Sequence, residues 1–253
     1  MTVAVLSALQ TELDLLLDSV EAPKTTSIAG WQTWTGHIAD TEIVLAQAGW
    51  AKSTPRRCPL LSGNATNLDD LHRRGRRPRP QARVGDIDVA NRTIQHDAGV
   101  VTPDGFQRYQ AGHIPFFNPT DEFGYTPSQR TLEVVQDLLG VAPADSRLGS
   151  PTTVVFGTIL TGDVFLADVR TGDRLFAEFS AHAIEMEGAA LAQTSSRLGV
   201  EHIVIRSLSD LAGDSAGQHF DRFLAEASAN SARLVLAILR RLEEDDRDLS
   251  VGA

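Results

Sequence analysis

The sequence is poor in cysteine and has no long hydrophobic run. Its single cysteine, Cys58, excludes an internal disulfide framework and is typical of a reducing compartment, so we expect a cytoplasmic location. No apolar stretch approaches the roughly 20 residues that a membrane-spanning helix needs. The N-terminal residues carry no basic group, and an acid follows at Glu12, so we expect neither a signal peptide nor a membrane anchor. These absences predict a soluble protein with no membrane partner.

Positive charge is scarce in most of the chain and concentrated in one segment. The 253 residues include 23 Lys and Arg against 33 Asp and Glu, which gives a formal net charge of −10. Residues 51–83 hold nine of those basic residues and two of the acids, so the rest of the chain sums to −17. Such an acidic surface repels phosphate backbones and argues against a nucleic-acid-binding protein. The alternative is a basic arm at residues 73–83, which would bind nucleic acid with a steep dependence on salt.

The same segment lacks the residues that build a protein core. Between residues 51 and 82 there is no Val, Ile, Phe, Tyr or Met, and four of the chain's 11 prolines lie there. Its apolar residues follow neither the spacing of an amphipathic helix nor the alternation of a half-buried strand. The composition therefore predicts loop or disorder in this segment.

Outside this segment, strand patterns and helix patterns alternate. Strands are predicted at residues 2–6, 31–38, 42–46, 152–160 and 202–206, with a further alternating pattern from residue 84. Helices are predicted at residues 11–20, 128–139, 185–198 and 221–242. The aromatic and proline-bearing residues 102–130 indicate an ordered excursion. The alternation predicts one α/β domain over residues 1–253, with an open sheet, helices on both faces and a tail at residues 244–253.

Three acids lie where a strand or a buried segment ends. In open α/β sheets, ligands bind beyond the carboxyl ends of the strands, which is where Glu12 and Asp210 are expected. A helix-capping role is the alternative for both. Glu187 lies between Met186 and Gly188 in a small, apolar helix start, where solvation explains an acid poorly. A buried carboxylate needs hydrogen-bond donors, and the hydroxyl groups of a ligand could supply them.

The histidines do not form a metal-binding pattern. His96 and His113 have no second histidine or cysteine at ligand spacing, so we expect no metal site. We interpret His96, in the motif QHDAG, as a structural hydrogen-bonding residue.

Several motifs, in this order, resemble one family. They are LSALQTEL, VGD with QHDAG, GTILTGDVFL, AIEMEGAALAQ, and VIRSLSDLAG with Phe220 ten residues after Asp210. Over residues 1–49 and 83–243 this combination is similar to the 5′-methylthioadenosine/S-adenosylhomocysteine nucleosidases of the nucleoside phosphorylase superfamily. The resemblance implies a single-domain, three-layer α/β fold of the nucleoside phosphorylase type, with a mixed central β-sheet flanked by helices. It also implies a cofactor-free homodimer that hydrolyses both nucleosides, releasing adenine, in methionine salvage.

The resemblance assigns roles to individual residues. Asp210 matches the general acid that protonates adenine N7, and Ser209 matches the neighbour that orients it. Glu187 matches the carboxylate that binds the ribose diol, with Met186 beside the sugar. Glu12 matches the residue that positions and deprotonates the attacking water. Phe165 and Leu166 match the segment at the adenine, and Phe220 matches a position at the thio-substituent. Arg206 matches a residue behind those that touch the substrate, and Ala8 is assigned to substrate binding. Val100 and Pro115 match positions where the dimer partner reaches into the site.

These residue types fit the hydrolysis of a glycosidic bond. Adenine is a poor leaving group until it is protonated, so an acid with a raised pKa is needed beside the base. A carboxylate on the sugar hydroxyls stabilises the developing oxocarbenium ion. A phosphorylase would need cationic or main-chain donors where Glu12 is expected, so this acid favours hydrolysis. Alternatives are the hydrolysis or phosphorolysis of another purine nucleoside, and a catalytically impaired remnant.

The resemblance breaks in the segment that lacks core residues. The family has GKVNAA at a helix start and a strand ending in FTGVAGGLDP, whereas this chain has WAKSTPRR at residues 50–57 and LHRRGRRPRP at residues 71–80. A DNA sequence can be written that encodes WAKSTPRR in one frame and GKVNAAA in the frame that begins two nucleotides later. Another DNA sequence encodes LHRRGRRPRP in one frame and FTGVAGGLDP in the frame that begins one nucleotide later. We therefore hypothesise that residues 50–82 are frame-disrupted, which resequencing of the coding DNA would test. The chain as it stands is then expected to fold poorly or to have severely impaired activity.

Overall fold

The structure of the chain is a computed structural model that describes residues 2–7, 10–28, 31–47, 58–67, 85–140, 152–166, 168–210 and 216–251. Ala8, the segment 50–57 and the basic segment 73–83 lie outside these residues. The strands are β1 (Thr2–Ser7), β2 (Glu21–Ile28), β3 (Trp31–Ile38), β4 (Thr41–Gln47), β5 (Cys58–Asn67), β6 (Ile87–Gln95), β7 (Gly99–Thr102), β8 (Gly105–Arg108), β9 (Val154–Thr161), β10 (Ala181–Glu185) and β11 (Ile203–Asp210). The helices are α1 (Gln10–Leu17), α2 (Gln129–Gly140), α3 (Val169–Phe179), α4 (Gly188–Leu198) and α5 (Ala216–Val251).

Nine strands form one mixed sheet in the order β10-β9-β6-β11-β5-β1-β4-β3-β2. β11, β5, β1 and β4 are parallel, and β6 runs antiparallel to β11. β10 also pairs with β5, so the five strands from β10 to β5 close into a ring. The mixed sheet with flanking helices confirms the predicted fold class, but the prediction of a fully open sheet is wrong. Register shifts in the β6, β10 and β11 pairings mark irregularities of the kind that bend strands and increase their twist.

Hydrophobic cores lie on both faces of the sheet, as a three-layer fold requires. Alternate residues of β11 pack in the cores on opposite faces of the sheet, because successive side chains of a strand point in opposite directions. Ile203 and Ile205 pack in the cluster that contains Leu13 of α1 and several residues of α5. Val204 packs in the second cluster, with Leu191 of α4. Burial on both faces explains why the strand begins with three consecutive apolar residues, Ile203 to Ile205.

Two predicted boundaries are wrong. The helix predicted at residues 185–198 begins at Gly188, because residues 181–185 pair with β9 and β5 as strand β10. The tail predicted at residues 244–253 is helical as far as Val251, since α5 continues without interruption. Residues 244–251 contain no glycine or proline, so no such signal ends the helix. Within the described residues, no helix is both long and apolar enough to cross a membrane.

The prediction of loop or disorder for residues 51–82 is wrong for Cys58–Asn67, which form the central strand β5. β5 lies between β1 and β11 and is parallel to both. Main-chain pairing on two sides holds an extended segment that composition alone does not predict. Pro59 lies opposite Ala4 of β1 and has no N–H to donate, which is unusual for a strand in the middle of a sheet.

Candidate active site

Glu12 is a buried carboxylate at the beginning of the molecule's first helix. It lies in the first turn of α1 and is fully buried. The hydroxyl of Ser7, the last residue of β1, donates a hydrogen bond to Glu12 Oε2 at 2.6 Å. A carboxylate that only complements a helix end normally lies in solvent. Its burial therefore favours a functional role over the capping alternative.

A buried ion pair joins β10 to β11. Arg206 is fully buried and donates to Glu185 Oε2 from Nε at 3.1 Å and from Nη2. Its Nη2 also lies 3.4 Å from Glu187 Oε2. Burial alone would lower the pKa of Arg206, but the two glutamates raise it above its ordinary value. The guanidinium therefore stays charged and fixes both carboxylates.

Glu185 organises the turn between β10 and α4. Its carboxylate accepts the main-chain N–H of Glu187 at 3.0 Å, the N–H of Gly188 at 2.8 and 2.9 Å, and the hydroxyl of Thr161. A Cβ atom at Gly188 would lie 3.0 Å from Glu185 Oε1, so the close approach favours glycine. The carboxylate of Glu185 thus fixes the turn that carries Met186 and Glu187, which we call the clamped turn. Sequence reasoning missed Glu185, although the alternation of two acids around Met186 was a visible signal.

Glu187 lies at the N-cap position of α4 but makes no capping hydrogen bond with its side chain. The side chain is 19% exposed. Burial raises its pKa, Arg206 lowers it, and Glu185 and Glu12 raise it further, with a result of about 7. Such a carboxylate is close to half protonated at neutral pH. Hydroxyl donors from a ligand would favour its ionised form.

The raised pKa of Glu187 predicts a stability that depends on pH. The unfolded chain releases this proton near 4.5 and the folded chain near 7, so stability falls as the pH rises between these values and is constant above them. Glu187→Gln removes the titration. From pH 4 to pH 8, its free energy of unfolding should rise relative to wild type by about 2–3 kcal/mol, as measured by urea denaturation. A difference that does not change with pH would contradict the shift.

The segment after β9 combines an anchored residue with an exposed one. Leu166 is buried in a cluster with Ile184 and Leu175 of α3. Phe165, next to it, is 55% exposed although it is a large aromatic side chain. The main chain just before them is tied to β10, because Gly162 N–H donates to the carbonyl of Glu185 at 3.0 Å. The exposed ring of Phe165 therefore lies three residues after the point at which this segment is bonded to β10.

The remaining predicted residues lie in three places. Ser209 and Asp210 end β11, the strand that carries Arg206, and Phe220 lies in α5; their side chains are outside what the structure describes, as is the whole of Ala8. Val100 is half-buried in β7, and Pro115 is exposed in the loop after β8. These two belong to the surface excursion between β6 and α2, not to the buried acid cluster. Their role stays a prediction.

The buried acid cluster consists of Glu12, Glu185, Glu187 and Arg206. Its two carboxylates with predicted roles, Glu12 and Glu187, differ in how they are held. Glu12 is held by a hydroxyl and suits the removal of a proton from water. Glu187 is held by Arg206 and the clamped turn, and suits the binding of hydroxyl groups. In the described part of the chain, no group of three or more His, Cys, Asp or Glu residues could hold a metal ion.

Comparisons with known proteins agree with this geometry. The family model of the phosphorylase superfamily matches residues 78–240. The chain is 36% identical to a 5′-methylthioadenosine/S-adenosylhomocysteine nucleosidase of Mycobacterium bovis, over 94% of this chain and 96% of the relative. A nucleosidase of this name from Colwellia psychrerythraea, solved with adenine, has a TM-score of 0.78 and 27% identity, and the similarity covers 96% of each chain. The Neisseria meningitidis nucleosidase, solved with methylthio-immucillin-A, has a TM-score of 0.76 and 28% identity, covering 94% of this chain and 98% of the other.

Proposed function

Because the chain belongs to the phosphorylase superfamily and, within it, to the 5′-methylthioadenosine/S-adenosylhomocysteine nucleosidases, we propose that it hydrolyses the N-glycosidic bond of both nucleosides and releases adenine. The observation that carries the proposal is the presence of two supported carboxylates, the buried Glu12 and Glu187 on the clamped turn, with Glu12 among the charges that raise the pKa of Glu187. Two carboxylates with separate supports suit a reaction that needs a base for water and a partner for sugar hydroxyls.

In the proposed reaction, Asp210 protonates N7 of adenine as the bond between N9 and the sugar breaks. Glu187 accepts hydrogen bonds from the ribose hydroxyls and stabilises the positive charge that develops on the sugar. Glu12 then takes a proton from the water molecule that attacks the sugar carbon. The hydroxyl of Ser7 keeps the carboxylate of Glu12 oriented for that step.

Hydrolysis is favoured over phosphorolysis by the charges around the sugar. Phosphate would have to bind near two carboxylates, and Arg206 is already paired with Glu185 and Glu187. A phosphate site normally offers free cationic or main-chain donors. Another purine nucleoside is the second candidate substrate.

Adenine release tests the proposal. We expect release from methylthioadenosine and S-adenosylhomocysteine at rates that do not change when phosphate is added. Inosine serves as the comparison substrate and should react at least about 100-fold more slowly, since its ring presents a carbonyl where adenine presents an amino group. Phosphate-dependent release, or faster reaction of inosine, would replace the proposal with the second candidate.

We further propose that the protein is a homodimer. The excursion between β6 and α2 exposes large apolar side chains: Val101 (83% exposed), Phe116 (86%) and Phe117 (82%). Exposed apolar groups of this size favour an interface, and predicted substrate positions Val100 and Pro115 lie beside them in the sequence. Sedimentation equilibrium should give about twice the 27.3 kDa of one chain. Phe116→Ser with Phe117→Ser should shift the mass toward the monomer, and a wild-type monomer at micromolar concentration would contradict the proposal.

The proposed setting is methionine salvage in the cytoplasm. A single cysteine is typical of a reducing compartment. Loss of the gene should lead to accumulation of methylthioadenosine in cell extracts, and unchanged levels would argue against this setting.

A further inference from the structure

The turn after β6 lies against the segment after β9. Asp97 Oδ2 accepts the main-chain N–H of Asp163 at 2.6 Å. The other oxygen of Asp97 accepts a hydrogen bond from the side-chain amide of Gln95. One oxygen thus orients the carboxylate on its own strand, and the other holds the neighbouring segment.

His96 holds the same segment by main-chain bonding and packing. Its N–H donates to the carbonyl of Thr161 at 2.9 Å. A Cβ atom on Gly162 would collide with the imidazole ring of His96, so only glycine fits at this contact. The ring Nε2 is buried and makes no hydrogen bond with the described residues. The interpretation of His96 as a hydrogen-bonding residue is therefore confirmed for its main chain, whereas Nε2 only packs.

Arg108 fixes the turn from its other side. Its Nε donates to the carbonyl of His96 at 2.8 Å, and its Nη1 lies 2.7 Å from Glu178 Oε1 on α3. The guanidinium also lies over the ring of Phe179, 5.4 Å from its centroid. The turn that carries Asp97 is thus bound to β8 and α3. These contacts fix the position of the Asp97 carboxylate, which binds the N–H of Asp163.

We propose that Asp97 is a positioning residue for the nucleobase: through Asp163 N–H it fixes the main chain of residues 162–166, and thereby the places of Phe165 and Leu166. This inference rests on the proposed function, which assigns these two residues to adenine. A segment that is already fixed loses less conformational entropy when the base binds. Asp97 therefore acts on binding of the base more than on the bond-breaking step.

Asp97→Ala is the direct test. The variant should raise KM for methylthioadenosine about tenfold and change kcat by less than about threefold, because the acids that act on the bond are untouched. Hydrogen exchange of the Asp163 amide should become at least about tenfold faster. Asp97→Asn keeps an oxygen acceptor and should restore most of both properties. Glu243→Ala is the matched control, since Glu243 accepts the main-chain N–H of Asp40 at 3.3 Å on the other half of the sheet.

A second pair of variants tests the contact with His96. Gly162→Ala should raise KM because its Cβ collides with the imidazole. Adding His96→Ala removes the collision, so the double variant should bind substrate better than Gly162→Ala alone. Equal KM values for the double variant and Gly162→Ala would overturn the role of this contact.

The outcomes separate this inference from the proposed function. If neither this chain nor the chain with its reading frame restored over residues 50–82 releases adenine, the proposed function fails, while hydrogen exchange still reports whether Asp97 fixes residues 162–166. If adenine is released but Asp97→Ala resembles Glu243→Ala in KM and in exchange, the positioning role is overturned. A fall in kcat with unchanged KM would also overturn it.

Discussion

Glu12→Gln is expected to slow adenine release by about 10²–10⁴-fold, the range that a positioned general base contributes. Glutamine has nearly the size of glutamate and can still accept the hydrogen bond from Ser7. It cannot take a proton from water, so the attacking nucleophile stays neutral. KM should change little, because Glu12 is assigned to the water and not to the base.

The structural control for Glu12→Gln is Glu133→Gln on the exposed face of α2. Made in the chain with its reading frame restored over residues 50–82, both variants should melt cooperatively, which circular dichroism will show, and only Glu12→Gln should lose turnover. A folded Glu12→Gln protein with wild-type kcat would remove Glu12 from the mechanism.

Restoring the reading frame between residues 50 and 82 is expected to raise both stability and activity. A central strand is normally rich in β-branched residues, whereas β5 reads CPLLSGNATN and contains a proline that cannot donate to either neighbour. Each apolar side chain returned to a buried position contributes about 1.5–3 kcal/mol, against a typical total stability of about 5–15 kcal/mol. We expect a gain of several kcal/mol and at least about 100-fold faster adenine release, since the glycine-rich motif FTGVAGGLDP that the resemblance implies also returns.

The matched control for the restored chain is a gene recoded synonymously over the same segment, which leaves the protein unchanged. Urea denaturation and adenine release should differ between the two proteins. If the restored chain is neither more stable nor more active, the frame-disruption hypothesis is wrong.

The sequence predicted those parts of the fold that local patterns encode. The strands at residues 31–38 and in β11 are confirmed, and Ile38 and residues 203–205 pack in the hydrophobic clusters. Closure of β10 onto β5 was not predicted, since it depends on pairing between residues more than 100 positions apart. β5 was missed because its partners, and not its own composition, keep it extended.

The candidate site was predicted only where local sequence patterns indicate it, and not where it depends on contacts between distant residues. Glu187 stood out because an acid among small apolar residues demands a partner, and the structure places it beside Arg206. Glu185 and Thr161 were missed because their importance lies in contacts between separate strands. The link between Asp97 and Asp163 joins residues 66 positions apart, which no motif spacing encodes.

Hydrolysis of methylthioadenosine in ¹⁸O-labelled water tests the central claim most directly. The account predicts free adenine together with a methylthioribose that carries one ¹⁸O atom at its anomeric carbon, with or without phosphate, as read by mass spectrometry. A cooperatively folded preparation of the chain with its reading frame restored that yields no adenine, or that yields a sugar phosphate in place of the labelled sugar, would contradict it.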